Sequence, residues 1–168
     1  MSEKEIQVYG FRWIVLILFM FINITMQILW ITYGSITVEA VTYYNVPDQL
    51  FILLFSLIFM IVYIPVSFLA SWVIDKYNLR IGAGIGAILA AIFGFLRFVA
   101  GPNYELALIF QIGIAVGQPF VLNSITKLSA NWFPESERTT ATGLGLISQF
   151  IGIALGLVIT PFLLIGND

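Results

Sequence analysis

The chain has 168 residues, of which 60% are hydrophobic and only 10% charged, with a net charge of −2 and a mean hydropathy of +1.01. A soluble domain of this size cannot hide so much apolar surface, which excludes an ordinary globular protein. With no cysteine and no histidine, disulfides, thiol catalysis, a Ser-His-Asp triad and the usual zinc sites are excluded, and a proton relay would have to use Asp or Glu. No basic patch or Gly-rich phosphate loop points to a nucleic acid or a nucleotide. No cofactor, metal or enzymatic reaction is expected.

A hydrocarbon core about 30 Å thick takes about 20 apolar residues of helix, and five stretches reach that length: 12–40, 50–74, 79–99, 106–128 and 140–165. Backbone amides find no water in lipid, and segments this long and uniformly apolar are helices rather than barrel strands. The expected fold is therefore all-α integral membrane, with residues 1–11 as an amino-terminal tail and 166–168 opening the next loop. The first stretch lacks the basic n-region, short apolar core and small-residue cleavage site of a signal peptide and is read as a permanent helix. It carries Asn23, Gln27, Trp30 and Gly34 at spacings of four, three and four. That stripe should face protein or water, not lipid. Trp30 and Tyr33 lie three residues apart. Together they could present ring faces to a quaternary ammonium, an attraction of about 2 kcal/mol when desolvated; simple packing is the alternative, in a chain that is 15% aromatic.

The second and third stretches are joined by the short segment 71–80, which forces an antiparallel hairpin and holds Asp75, Lys76 and Arg80 close together. The third opens on the small-residue run 82–87, suited to close helix approach. On the fourth, Gln111, Ala115, Gln118 and Leu122 share a face, and Pro134 ends the helix. Glu135 and Glu137 suit the positive end of the fifth helix dipole, whereas Arg138 does not, so Arg138 should have an acidic partner such as Asp75. On the fifth, Ser148, Gln149, Gly152 and Gly156 cluster. All these amides either line a polar pathway or join helices, each interhelical bond being worth on the order of 1 kcal/mol.

Six of the seven basic residues fall on alternate connections, with Lys4, Arg12, Lys76, Arg80, Lys127 and Arg138 on one side and Arg97 alone on the other. Positive charge is retained on the cytoplasmic side, so the amino terminus is expected inside and the loops 42–49 and 101–105 outside. Tyr9, Phe11, Trp13, Trp72, Tyr77, Trp132 and Phe133 would ring the inner interface, and Tyr43, Tyr44 and Tyr104 the outer one. No acid sits mid-span, since Glu39 and Glu105 fall near outer ends and Asp75 at an inner loop. The usual handle for proton or sodium coupling is thus missing from these segments.

The 71–80 segment resembles the signature between helices two and three of the major facilitator superfamily, Gly-x-Leu-Ala-Asp-Arg-x-Gly-Arg-Arg. Asp75 and Lys76 match its acidic-basic pair and Arg80 a later basic position, while Ser71 and Asn78 stand where glycines are expected. The run 131–143, with Pro134, its acids and Arg138 before an Ala-x-Gly helix start, is similar to the superfamily's inner loop between helices four and five. Within the superfamily, Trp30-Ile31-Thr32-Tyr33-Gly34-Ser35-Ile36 resembles a segment of the feline leukaemia virus subgroup C receptor-related transporters, as do the Trp-Phe-Pro loop and 152–156.

This resemblance implies five transmembrane helices forming an incomplete amino-terminal six-helix bundle of the major facilitator fold, with helices one, four and five lining the pathway. It implies a secondary transporter moving a small organic solute by alternating access, a choline-like organic cation being the substrate class of the resembled family. The residues that would bind it are Asn23, Gln27, Trp30, Tyr33, Gln111, Gln118 and Gln149. Asp75, Lys76, Arg80 and Arg138 would form an inner gate, or else serve only as topology anchors at the headgroups. Leu108 replaces the Arg of the Arg-x-x-Gln-Gly motif, and the fifth helix lacks Gly-Pro-x-x-Gly-Gly, which favours a facilitator, or coupling through absent segments, over a proton antiporter. The implied partners are the lipid bilayer, the small-molecule substrate, and a missing carboxy-terminal half or a second copy; the implied location is the plasma membrane. The competing expectation is a non-transporting structural or regulatory membrane subunit that pairs with another membrane protein.

Overall fold

The computed structural model describes residues 10–165; the tail residues 1–9, with Lys4 and Tyr9, and the expected loop start at 166–168 lie outside the described residues. In chain order the described elements are α1 (Arg12–Ser35), α2 (Thr37–Tyr44), α3 (Gln49–Tyr77), α4 (Leu79–Val99), α5 (Tyr104–Leu122), α6 (Ser124–Trp132) and α7 (Glu135–Ile165). Five helical segments are long and apolar enough to cross a membrane, with α5 and α6 counting as one, Tyr104–Trp132.

The first expected span, 12–40, is divided at Ile36, where the backbone leaves the helical region at φ −129° and ψ 36°. Hydroxyl side chains provide the local reason: Ser35 Oγ donates to the Thr32 carbonyl, and Thr37 Oγ1 to those of Tyr33 and Gly34. These bonds offer the backbone carbonyls partners other than the helical amides. The short α2 then lies outside the span and ends at Asn45 in the left-handed conformation.

Turns between helices are capped by side chains. Asp48 accepts from the Leu50 amide, Asn78 from Ile81 and Asn103 from Leu106, each satisfying one of the orphan donors of a helix start. Asn78 has φ 135°, a region suited to glycine. That strain explains why the resembled loop signature carries a glycine at this place.

The burial pattern is that of a protein in lipid. Large apolar side chains face outward, Phe68, Phe98 and Phe162 being 78%, 83% and 75% exposed, while Asn23, Gln27 and Gln111 are almost fully buried. In hydrocarbon, polar side chains turn towards one another and apolar ones need no cover. The interior core is assembled from Leu16, Phe19 and Met26 of α1, Phe59 of α3 and Ile114 of α5.

Contacts are broadest between α1 and α7, then between α4 and α5, then between α3 and α5. Glycine sets the first two. A methyl group at Gly86 would stand 2.7 Å from the Gly117 carbonyl oxygen, and one at Gly152 would stand 2.7 Å from the Ile24 carbonyl oxygen. Without a dominant hydrophobic drive between helices in lipid, such close backbone approach is a main source of association.

Candidate functional site

Two polar junctions run through this bundle. The first joins α1 to α7. The Asn23 amide nitrogen donates to the Gly145 carbonyl at 3.0 Å and to Ser148 Oγ at 2.8 Å, and Ser148 donates to the same carbonyl. Asn23 Oδ1 and Gln27 Nε2, on the same α1 face, are buried and have no hydrogen-bond partner among the described residues. Buried polar atoms are rarely left so, because the desolvation cost of about 1–3 kcal/mol is then uncompensated. Gln149 is half-buried on α7 next to Ser148 and makes no hydrogen bond among the described residues.

Trp30 is half-buried on α1, and its indole N–H donates to the Ser56 carbonyl of α3 at 3.2 Å, which fixes the ring and leaves its face unengaged by any cation among the described residues. Ser56 Oγ is itself buried without a hydrogen-bond partner among the described residues. Gln118 is buried at 7% exposure and makes no hydrogen bond among the described residues.

The second junction ties α4, α5, α3 and α1 together. Arg97 Nη1 donates to the Leu29 carbonyl and to Gln111 Oε1, and Gln111 Nε2 donates to the Phe55 carbonyl at 3.1 Å. Gln111 is fully buried with both ends of its amide engaged, so it acts as a fastener between helices. Tyr33 belongs to this junction. Its hydroxyl bonds that of Tyr44 at 2.6 Å, its ring packs 4.1 Å from that of Phe55, and the Arg97 guanidinium lies 5.1 Å from its centroid.

The expected cage of Trp30 and Tyr33 is therefore not assembled. The Trp30 indole is turned to the Ser56 carbonyl of α3. The Tyr33 ring is taken by an internal cation. Neither Arg97 nor the Tyr33–Tyr44 pair was anticipated as part of a site. The short turn at 100–103 was the available signal, because it sets the end of α4 beside the start of α5.

At the opposite end of the bundle, the four residues expected to make an inner gate are not paired with one another among the described residues. Asp75 pairs with Lys127 at 2.7 Å, and Lys127 also donates to the Ile74 carbonyl. Arg138 Nε donates to the Phe133 carbonyl at 3.2 Å, and no carboxylate pairs with it among the described residues, which corrects the expectation that Asp75 is its partner. The cause is local: Phe133 precedes the helix break at Pro134, and its carbonyl is left for Arg138 to cap. Lys76 Nζ lies 4.6 Å from the Trp72 ring centroid, and Arg80 is exposed.

An ion pair that the spacing of charges did not suggest is Arg12 with Glu137, bidentate at 3.0 and 3.1 Å between the starts of α1 and α7. Trp13 and Phe133 meet edge to face beside it at 5.1 Å. A further polar node sits at Asn123, which accepts from the Tyr63 hydroxyl and donates to Ser67 and Ser71, joining the α5–α6 break to α3. Among the described residues no cluster of three or more acidic side chains is placed to hold a metal ion.

An apolar-surfaced helical bundle with five spanning segments and polar atoms turned inward is a multi-pass membrane protein. Comparison with known sequences narrows the class: residues 8–167 match the Major Facilitator Superfamily, and the chain belongs to it. It is 31% identical to the choline/ethanolamine transporter flvcr2b of Danio rerio, over 99% of this chain and 35% of that protein. It is 27% identical to the choline/ethanolamine transporter FLVCR2 of Rattus norvegicus, over 96% of this chain and 30% of that protein. It is 29% identical to solute carrier family 49 member A3 of Xenopus tropicalis, over 95% of this chain and 35% of that protein. These relatives are carriers and not enzymes, and the chain spans about a third of their length.

Proposed function

We propose that this chain is the amino-terminal part of a secondary transporter that moves a small organic cation of the choline or ethanolamine type by alternating access. Its substrate face is formed by Trp30, Gln149, Gln27 and Gln118. The observation that carries the reading is the α1–α7 junction, where α1 and α7 meet most broadly and yet leave Asn23 Oδ1 and the Gln27 donor without hydrogen-bond partners among the described residues. A polar seam built only to hold two helices together would have been saturated, as Gln111 is. The Trp30 ring, anchored through its N–H, is suited to a quaternary ammonium, an attraction of about 2 kcal/mol in a dry site. The names of the relatives from Danio rerio and Rattus norvegicus support the same substrate class.

In this reading a carboxy-terminal half or a second copy of the chain closes the pathway, the amino terminus is cytoplasmic, and the protein resides in the plasma membrane. The starts of α1 and α7 held by Arg12–Glu137, and the end of α3 tied to α6 by Asp75–Lys127, form the inner closure, with Lys76, Arg80 and Arg138 at its edge. The test is uptake of radiolabelled choline and ethanolamine into proteoliposomes holding the chain, alone and joined to the second half of a relative, with Trp30→Ala as control. Saturable uptake that falls at least tenfold in Trp30→Ala is the expected result. Equal uptake by the variant, or none by either form, contradicts the assignment.

A further inference from the structure

A cavity of about 790 Å³ opens at the end of the bundle that carries α2. Arg97, Glu39, Tyr43, Tyr44, Phe98 and Leu164 are among the residues that line it. Arg97 is the unusual member. It stands two residues before the end of α4 at Val99, about 3 Å along the helix axis at 1.5 Å per residue. That places its backbone near the end of the span, while its guanidinium reaches inward to the Leu29 carbonyl of α1 and to Gln111 of α5.

Among the described residues only Nη1 of its guanidinium is hydrogen-bonded, to the Leu29 carbonyl and Gln111 Oε1, and the group lies over the Tyr33 ring. Nε and Nη2 make no bond among the described residues, and no carboxylate pairs with Arg97 there, although Glu39 lines the same cavity. Nε and Nη2 form the edge of a guanidinium that grips two oxygens of a phosphate or carboxylate side by side.

Glu39 and the Tyr43–Tyr44 pair, whose rings meet at right angles 5.0 Å apart, supply the complementary chemistry for an ammonium. Neither Glu39 nor Arg97 has an ion-pair partner among the described residues, and charges of both signs in one cavity suit a ligand that carries both. Phe98 and Leu164, exposed at 83% and 40%, give that ligand an apolar wall.

We propose that this cavity binds a phosphate ester bearing an ammonium group, with the phosphate on the free edge of Arg97 and the ammonium between Glu39 and the two tyrosines. The source is either the headgroup of a zwitterionic phospholipid in the adjoining leaflet or a free phosphoammonium solute. The site is separate from the Trp30–Gln149 face and does not depend on the transport reading.

The test uses the chain in nanodiscs. In discs mixing phosphatidylglycerol and phosphatidylcholine, native mass spectrometry reads which lipid is retained. In discs of phosphatidylglycerol alone, O-phosphocholine and inorganic phosphate are titrated separately. Retained phosphatidylcholine without phosphocholine binding assigns a lipid, and the reverse assigns a free solute; either supports the site. Arg97→Gln should abolish retention or weaken binding at least tenfold. Because that variant also loosens Gln111, Glu39→Gln provides a second check on an exposed side chain: it should weaken phosphatidylcholine retention or phosphocholine binding about tenfold and leave inorganic phosphate unchanged. The proposal is overturned by a wild-type chain that holds neither ligand, by Arg97→Gln binding as well as wild type, or by Glu39→Gln leaving the zwitterion as tightly held as before.

Discussion

The α4–α5 junction and the α1–α7 junction are both built on glycine approach and buried amides, yet they differ in how far their polar atoms are satisfied. Around Gln111 both ends of the amide have partners, and the Arg97, Leu29 and Phe55 groups close a continuous network. Around Asn23 and Gln27 one clamp is made, to Gly145 and Ser148, and an acceptor and a donor are left over. A saturated network in low dielectric fixes geometry, whereas an unsaturated one has affinity in reserve for a ligand or water. In the proposed reading the difference separates residues that hold this fold from residues that meet a ligand.

Substitutions should break the two junctions differently. The largest loss is expected for Gly86→Leu, whose side chain would be driven into the Gly117 carbonyl and Val121; overpacking of this kind costs about 3 kcal/mol and should lower the thermal unfolding temperature in detergent sharply. Gln111→Ala should cost about 2 kcal/mol by the same assay, because the Phe55 carbonyl and Arg97 each lose a partner. Asn23→Leu removes one interhelical clamp and should cost about 1 kcal/mol. Gln27→Leu sharpens the contrast. It takes away a donor that has no partner, so stability should move by less than about 1 kcal/mol while substrate uptake falls at least tenfold. Smallest of all, Asp75→Asn loses a largely exposed ion pair and should change stability by about 0.5 kcal/mol. An unfolding temperature that drops as far for Gln27→Leu as for Gln111→Ala would remove the distinction between the junctions.

The membrane class and the five spans were legible because length and hydropathy are one-dimensional properties, and lipid imposes helix on any such segment. The kink at Ile36 was not, since it depends on hydroxyls of Ser35 and Thr37 choosing carbonyls over solvent. Of the polar stripe expected on α1, Asn23 and Gln27 are buried, Trp30 is half-buried and Gly34 is exposed. Spacing alone did not say which helix each residue meets, so Trp30 and Tyr33, close in sequence, turn to different partners. Charged groups were the least legible. Asp75 chose Lys127 and Arg12 chose Glu137, pairings that require knowing how α3 meets α6 and how α1 meets α7.

The central claim is that the α1–α7 junction serves a ligand and the α4–α5 junction does not. The chain contains no cysteine, so single cysteines can be introduced without background. Trp30→Cys, Gln149→Cys and Gln111→Cys, each in proteoliposomes, would be treated with a membrane-impermeant thiol reagent in the presence and absence of choline. The account predicts that the first two react and that choline protects the thiol at 149, while the third stays unmodified. Reaction at position 111, sealed thiols at 30 and 149, or a thiol at 149 indifferent to choline, would contradict it.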